Sequence, residues 1–135
     1  MTVLDASVVG AWAFSDERSE NADRLLTQVG QHGAVVPSHW PIETANLLLS
    51  AVRRDRRSVP ERDAFLKYLF DLPIRVVEVA PCDLTEVLAV AEKHRLTAYD
   101  AAYLWLATRE RLPLATKDDA LIRAAGDTGT DLRPL

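Results

Sequence analysis

The chain has 135 residues, of which 48% are hydrophobic and 27% are charged, and its formal net charge is −4. This length and composition suit one folded domain spanning residues 1–135 and exclude an intrinsically disordered chain. The acidic balance excludes broad adhesion to nucleic acid through a uniformly basic surface, but it leaves local basic patches open.

The first predicted strand covers residues 2–5, so Asp5 lies at its carboxyl end. Ser7 can then cap a helix whose apolar members run from Val8 to Phe14. Ligands of open α/β sheets bind beyond the carboxyl ends of the strands, which favours a chemical role for Asp5. The alternative is a turn aspartate that binds nearby backbone N–H groups.

Two longer helices follow, at residues 16–31 and 41–54, with a short strand at residues 34–37 between them. Glu43 lies in the first turn of the second of these helices. It shares a helix face with small polar and apolar residues, which is unusual for a glutamate that only faces solvent. Its alternative role is to stabilise the helix N-terminus through the helix dipole.

One dense basic run follows, Arg53-Arg54-Asp55-Arg56-Arg57, before a fourth helix that starts near Ser58. Charge runs usually face water. The sharper alternative is that Arg53, Arg54, Arg56 and Arg57 contact an RNA backbone or an acidic protein partner.

Histidines and aromatic residues in this part of the chain predict ordinary structural roles. His39 and His94 have no second His or Cys at metal-ligand spacing, so we expect them to be exposed or hydrogen-bonded. The large aromatic side chains predict packing in the core or in an interface: Trp12, Trp40, Phe65, Tyr68 and Phe70.

The stretch at residues 97–107 is nearly all apolar, which predicts a central helix packed against a sheet. It comes after a predicted strand at residues 73–79 and an amphipathic helix at residues 83–94. Thr97 is a suitable N-cap and Asp100 falls three residues later, so its carboxylate lies in the first helical turn. A lone acid in that place usually serves only to cap the helix.

A strand at residues 112–116 delivers two further acids, Asp118 and Asp119, beyond its end. A short helix at residues 120–125, ended by Gly126, and a last strand at residues 131–135 complete the chain. Strands and helices alternate throughout. This pattern predicts an α/β fold, a three-layer α/β/α sandwich with a mainly parallel central sheet.

Cysteine usage and hydropathy indicate the compartment. The single cysteine, Cys82, excludes an intrachain disulfide and a cysteine-based metal cluster, which suits a reducing environment. No apolar run reaches the roughly 18 residues of a membrane span, and the N-terminus lacks the basic stretch of a signal peptide. We therefore expect a cytoplasmic protein without membrane contact.

Acids placed at the ends of elements suggest a metal site: Asp5, Glu43, Asp100 and Asp118, with Asp119 adjacent. The hydroxyls of Ser7 and Thr116 each stand two residues from an aspartate. Carboxylates gathered in one cleft repel each other unless a cation compensates them. Oxygen ligands without His or Cys suit Mg²⁺ or Mn²⁺, which commonly meet substrate phosphates. Such a site hydrolyses phosphodiesters.

These motifs resemble the PIN-domain ribonucleases, specifically the VapC-type toxins of toxin–antitoxin pairs. The resemblance spans nearly the whole chain and rests on four features in order: Val3-Leu4-Asp5-Ala-Ser7, Glu43, Leu96-Thr-Ala-Tyr-Asp100-Ala-Ala-Tyr, and Leu114-Ala-Thr116-Lys-Asp118 with Ala120-Leu121. It implies a PIN fold and an endoribonuclease that depends on Mg²⁺ or Mn²⁺. It also implies a homodimer held inactive by a cognate antitoxin.

The resemblance assigns roles to individual residues. Asp5, Glu43, Asp100 and Asp118 match the acidic quartet of the family, and Asp5, Asp100 and Asp118 are the expected metal ligands. Ser7 and Thr116 match hydroxyl positions that support the metal-bound acids or water. Asp119 either assists or replaces Asp118, although the Thr-x-Asp spacing favours Asp118.

Two other classes of protein fit parts of the pattern. A haloacid-dehalogenase-like phosphatase also begins with an aspartate at a strand end, but it needs a second Asp two residues later, where this chain has Ser7. A non-catalytic PIN-like interaction module is the other alternative. Loss of activity would usually show as a missing acid, and all four are present.

Overall fold

The computed structural model describes residues 1–135, in which five short strands alternate with seven α-helices. The strands are β1 (Thr2–Leu4), β2 (Ala34–Pro37), β3 (Ile74–Val77), β4 (Leu114–Ala115) and β5 (Leu132–Arg133). The helices are α1 (Ser7–Ala13), α2 (Glu20–His32), α3 (Trp40–Arg53), α4 (Val59–Phe70), α5 (Leu84–His94), α6 (Ala98–Glu110) and α7 (Asp119–Thr128).

The strands form one sheet in the order β3-β2-β1-β4-β5, and every pairing is parallel. The predicted parallel sheet is therefore confirmed. The chain order runs outward from β1 in both directions, so the gap between β1 and β4 is the point where the direction of winding reverses. Clefts that bind ligands open at this point, beyond the carboxyl ends of the strands.

Helix α6 packs against the centre of the sheet and contacts β1, β2 and β4. Residues 101–107 are all buried, as the apolar stretch predicts. They join a hydrophobic core that includes Leu4, Val35, Leu114 and Leu121. Because α6 is fixed on all sides, its first turn is held at the carboxyl edge of the sheet, beside the end of β1.

Three local predictions are wrong. Ser7 is the first residue of α1 rather than its cap, because its hydroxyl binds Asp5 instead. The helix predicted at residues 16–31 is divided into a 3₁₀ turn at Ser15–Glu17 and α2, because the Ser19 side chain caps α2 by accepting the Ala22 N–H. Helix α7 continues through Gly126 and ends before Gly129, whose φ of 71° suits the glycine at a helix C-terminus.

The aromatic predictions divide between core and surface. Trp12 and Trp40 are buried. Tyr68 and Phe70 are exposed, Phe70 by 76%, so they do not belong to the core. Phe70 lines an apolar groove of about 680 Å³ that α3, α4 and the edge strand β3 form together. No helix of the chain has the length and apolar character that crossing a bilayer requires.

Candidate active site

Asp5 follows β1 and is the most deeply buried acid of the site, with 5% of its surface exposed. Its Oδ2 accepts hydrogen bonds from the Ser7 hydroxyl at 2.7 Å and from the Thr116 hydroxyl at 2.6 Å. Thr116 directly follows β4, the strand beside β1, so the parallel pairing itself brings the two residues together. Burial raises the pKa of Asp5, and the two hydroxyl bonds offset part of this effect.

Glu43 reaches the site from the first turn of α3. Its Oε1 accepts the Tyr103 hydroxyl at 2.9 Å and lies 2.9 Å from Nε2 of His39. The same Nε2 lies 3.0 Å from the Tyr99 carbonyl oxygen, and two acceptors require that this nitrogen carry the proton. Burial opposes ionisation of Glu43, but the bonds from His39 and Tyr103 together outweigh it and lower the pKa of Glu43.

Asp100 stands in the first turn of α6, where the Thr97 hydroxyl accepts its backbone N–H at 3.2 Å. The predicted N-cap is therefore present. The half-buried carboxylate of Asp100 has a raised pKa because of burial and because of the negative charges of Asp118, Asp5 and Glu43. Four acids that are far apart in sequence thus act on one another electrostatically.

Asp118 is the N-cap of α7, and its Oδ1 accepts the Leu121 N–H at 2.9 Å. Its own N–H donates to the Thr116 hydroxyl at 3.0 Å, so Thr116 links the Asp5 carboxylate to the Asp118 backbone. Asp119 is the first residue of α7 and is exposed. It does not line the cleft that the four acids share, and its supporting role stays a prediction.

The four acids line one open cleft of about 470 Å³ at the carboxyl edge of the sheet, which we call the acid cleft. Its other lining residues are Ala6, Ser7, Asn46, Leu47 and Lys117. The donor atoms of its carboxylates are all oxygens, which fits a hard divalent cation such as Mg²⁺ or Mn²⁺. The side chains are spaced more widely than in a closed metal site, since no three His, Cys, Asp or Glu residues lie close enough to hold an ion together.

Three residues of the site were not identified from the sequence: Tyr103, His39 and Lys117. Tyr103 lies three residues after Asp100, and His39 four residues before Glu43, so helical spacing placed each on the same face as an acid. Tyr103 looked like part of the core, and its ring is indeed fully buried while its hydroxyl reaches Glu43. Lys117 lines the acid cleft as its one cationic side chain.

The arginine run differs in its contacts from one residue to the next. Arg56 pairs with Asp16 and Glu17, and Arg57 pairs with Glu61 and donates to the Ala13 carbonyl oxygen. Much of their charge is therefore neutralised within the chain. Arg53 and Arg54 form no salt bridge and no side-chain hydrogen bond, and the contacts predicted for the whole run remain predictions.

Comparisons with known proteins agree on one family. The sequence profile described as PIN domain matches residues 2–127. Ribonuclease VapC3 of Pyrobaculum aerophilum is 34% identical over 121 residues, which are 88% of this chain and 90% of that protein. The crystal structure of PAE2754, also from Pyrobaculum aerophilum, aligns with a TM-score of 0.71 at 26% identity and covers 91% of this chain and 83% of that one.

Two more distant structures share the fold. A toxin–antitoxin complex from Klebsiella pneumoniae aligns with a TM-score of 0.60 at 13% identity, covering 87% of each chain. FitAcB from Neisseria gonorrhoeae aligns with a TM-score of 0.66 at 17% identity, covering 99% of this chain and 97% of that one. The three-layer architecture predicted from the sequence is the fold of these proteins.

Proposed function

Since this chain belongs to the PIN-domain family, we propose that it is a metal-dependent endoribonuclease and the toxin of a toxin–antitoxin pair. We further infer that residues 1–135 act as one domain. Membership of this family excludes the alternative of a haloacid-dehalogenase-like phosphatase. The ribonuclease relative supports RNA as the substrate class, and the toxin–antitoxin complex among the proteins of the same fold supports the biological setting.

One observation carries the proposal: acids from four separate elements meet in one cleft where the winding of a parallel sheet reverses. Burial and the negative charge of the neighbouring acids raise the pKa of Asp100, so keeping every acid ionised costs free energy. A divalent cation removes this cost and gives the cleft a partner for an RNA phosphate. The cleft is open, so a phosphodiester of a polymer can enter it.

In this proposal Asp5, Asp100 and Asp118 would hold Mg²⁺ or Mn²⁺, which requires their carboxylates to approach one another more closely than in the metal-free chain. When bound there, the cation would supply Lewis-acid chemistry: it would lower the pKa of a water and compensate negative charge on the scissile phosphate. Ser7 and Thr116 fix the direction of the Asp5 carboxylate through their hydroxyls. Glu43, kept ionised by its donors, orients the attacking water. No covalent intermediate on the protein is required.

Protein partners complete the proposal. A cognate antitoxin inhibits the ribonuclease, and the chain forms a homodimer in the cytoplasm. The structural similarity to a toxin–antitoxin complex from Klebsiella pneumoniae supports the antitoxin partner. Light scattering on the purified chain, whose mass is 15.0 kDa, decides the oligomeric state.

The alternative is a PIN-like module that binds partners without catalysis. Sequencing RNA ends after brief expression of the wild-type chain and of Asp100→Asn separates the two. We expect new RNA ends at a defined sequence with the wild-type chain and none with the variant. Identical end profiles in both strains would assign the activity to another protein and leave the interaction module.

A further inference from the structure

A second cleft lies beside the acid cleft. It has a volume of about 300 Å³ and shares Ser7, Leu47 and Lys117 with the acid cleft. Its remaining walls come from α1, the 3₁₀ turn after it and the second half of α3. We call it the basic cleft because its charged residues are Arg54, Arg56, Lys117 and one acid, Glu17.

The two clefts have opposite charge. Three cationic side chains and one carboxylate line the basic cleft, and Asp16 also pairs with Arg56, so the cleft keeps an excess of about one positive charge. The acid cleft has four carboxylates and only Lys117 as a cation. An RNA strand that crosses both places one phosphate where the acids need a divalent cation and a neighbouring phosphate where the protein itself is cationic.

Glu17 holds two of the three cations in place. Its Oε2 lies 3.1 Å from Nη2 of Arg56, and its Oε1 lies 3.3 Å from Nζ of Lys117. Gly10 allows this approach, since a Cβ at that position would lie only 3.2 Å from Oε1 of Glu17. The guanidinium of Arg56 also stacks on the buried ring of Phe14, at 3.8 Å from its centroid.

Arg54 differs from the other two cations because it has no carboxylate partner. An arginine without a partner on the wall of a cleft keeps its full charge and its planar donor fork for a ligand. The backbone on the shared wall is fixed as well, because the Lys117 N–H donates to the Ser7 hydroxyl at 2.9 Å, the same hydroxyl that binds Asp5.

We propose that the basic cleft is a subsite for the phosphodiester next to the scissile one, with Arg54, Arg56 and Lys117 as its phosphate-binding residues. Glu17 orders Arg56 and Lys117 while RNA is absent and competes with the phosphate for them. The subsite rests on the proposed ribonuclease function and adds a binding register to it. It recognises the charge of the backbone and is indifferent to the bases.

The test compares Arg54→Gln with Arg75→Gln as a matched control. Arg75 lies on β3, the far edge of the sheet, is exposed and also lacks a salt bridge, so both variants lose one free arginine charge. The probe is a fluorescein-labelled single-stranded RNA that spans the cleavage site mapped by RNA end sequencing. Its affinity is measured by fluorescence anisotropy over a salt series in the inactive Asp100→Asn background.

We expect Arg54→Gln to weaken binding about fivefold and to reduce the salt slope by roughly 0.7, the value for one contact to a single strand. We expect Arg75→Gln to leave the RNA affinity and the salt slope nearly unchanged. Replacing one phosphodiester beside the scissile position by a neutral methylphosphonate weakens binding to the Arg54 protein. The same replacement has a smaller effect on Arg54→Gln, in which only Arg56 and Lys117 still contact that phosphate.

Glu17→Gln is a second test, in which RNA affinity should change in the opposite direction, because the variant lacks the carboxylate that competes with phosphate. We expect tighter RNA binding, by about twofold to fivefold. If Arg54→Gln and Arg75→Gln bind RNA equally well while the wild-type chain cleaves RNA, the subsite proposal is wrong and the ribonuclease function stands. The basic cleft would then be a binding site for an acidic protein partner. If the wild-type chain cleaves no RNA, both the subsite proposal and the proposed ribonuclease function are wrong.

Discussion

At the scale of single residues, the hydrogen bonds of Glu43 stabilise the ionised form of its carboxylate. Oε1 already accepts the Tyr103 hydroxyl and faces His39, while Oε2 accepts no hydrogen bond within the chain. Its pKa is lowered, whereas burial raises the pKa of Asp5 and Asp100. Of the three acids, Glu43 is therefore the one whose ionised form the surrounding protein favours.

Tyr103→Phe removes one of these donors without changing the ring. Leaving the carboxylate short of a partner costs about 1–3 kcal/mol of folding free energy. The pKa of Glu43 rises as well, so the acidic limb of the activity profile moves to higher pH. We expect kcat to fall about tenfold with little change in KM, as for residues that orient a catalytic group.

Tyr99→Phe is the matched control for this experiment. Tyr99 is 64% exposed and lies one turn earlier on the chain, with its ring centroid 5.9 Å from that of His39. Its hydroxyl makes no hydrogen bond, so we expect stability within about 0.5 kcal/mol of wild type. Equal pH profiles for Tyr103→Phe and the wild-type chain would show that the hydroxyl does not hold Glu43 in its ionised form.

At the scale of elements, α7 depends on an acid that also lines the acid cleft. Asp118 uses Oδ1 to cap the helix, and no intrachain hydrogen bond involves Oδ2. Asn is as good an N-cap as Asp, while Ala is not. Asp118→Asn therefore keeps the folding free energy but loses cleavage by at least about a hundredfold if Asp118 holds the cation.

Asp118→Ala separates the two roles of this residue. It loses cleavage in the same way and also loses about 1 kcal/mol of stability, because the first turn of α7 is left without its cap. Urea unfolding and RNA cleavage of the two variants give the comparison. Full cleavage by Asp118→Asn would leave Asp118 with the capping role alone.

Gly126, inside α7, and Gly129, just after it, give a prediction that concerns stability only. Gly126 is inside the helix and a Cβ there meets nothing within 4 Å, so Gly126→Ala stabilises the chain by about 0.5–1 kcal/mol. Gly129 has a φ of 71°, so Gly129→Ala destabilises it by a similar amount or more. Thermal unfolding measures both. A loss of stability in Gly126→Ala would contradict the observed end of the helix.

The elements were predictable where the signal is local. Thr97 caps α6, Ser58 caps α4 and the apolar stretch at residues 97–107 is buried, because caps and periodicity act within one turn. The Ser19 cap and the extent of α7 were missed because a serine or a glycine is compatible with more than one place in a helix.

The meeting of the four acids in one cleft could be predicted, but their hydrogen-bond partners could not. Asp5, Glu43, Asp100 and Asp118 stand at ends of elements, and parallel strands deliver such ends to one edge of the sheet. The bond between Tyr103 and Glu43 joins residues 60 positions apart. Nothing local specifies such a pairing, since it depends on how α3 and α6 cross over the sheet.

At the scale of the whole molecule, the charge of the acid cleft affects stability through pH. The folded-state pKa of Asp5 and of Asp100 lies above the ordinary value of 3.8. Their contribution to stability is complete below the unfolded pKa and is lost as the pH rises through the folded pKa. Above their folded-state pKa values both are ionised at a cost, so in that pH range Asp100→Asn raises the unfolding temperature of the metal-free chain by about 1–4 °C.

A bound divalent cation would offset the destabilisation caused by the ionised Asp5 and Asp100. The change in unfolding temperature on adding Mn²⁺ therefore tests the proposed metal site. An ion that binds only the folded chain raises its stability by about 2.7 kcal/mol at a concentration 100 times its Kd. Because the ligands must be ionised, we expect the shift caused by Mn²⁺ to be large at about pH 7.5 and to shrink as the pH falls through the raised pKa values of Asp5 and Asp100.

Three variants locate the ion. Asp100→Asn loses most of the Mn²⁺ shift although it is the more stable chain without metal, so the two effects have opposite signs in one protein. Asp71→Asn removes an exposed acid outside the acid cleft and keeps the wild-type shift. Asp119 is exposed and outside that cleft too, so Asp119→Asn also keeps the shift unless this residue replaces Asp118. An equal shift in all three variants would place the ion elsewhere on the molecule.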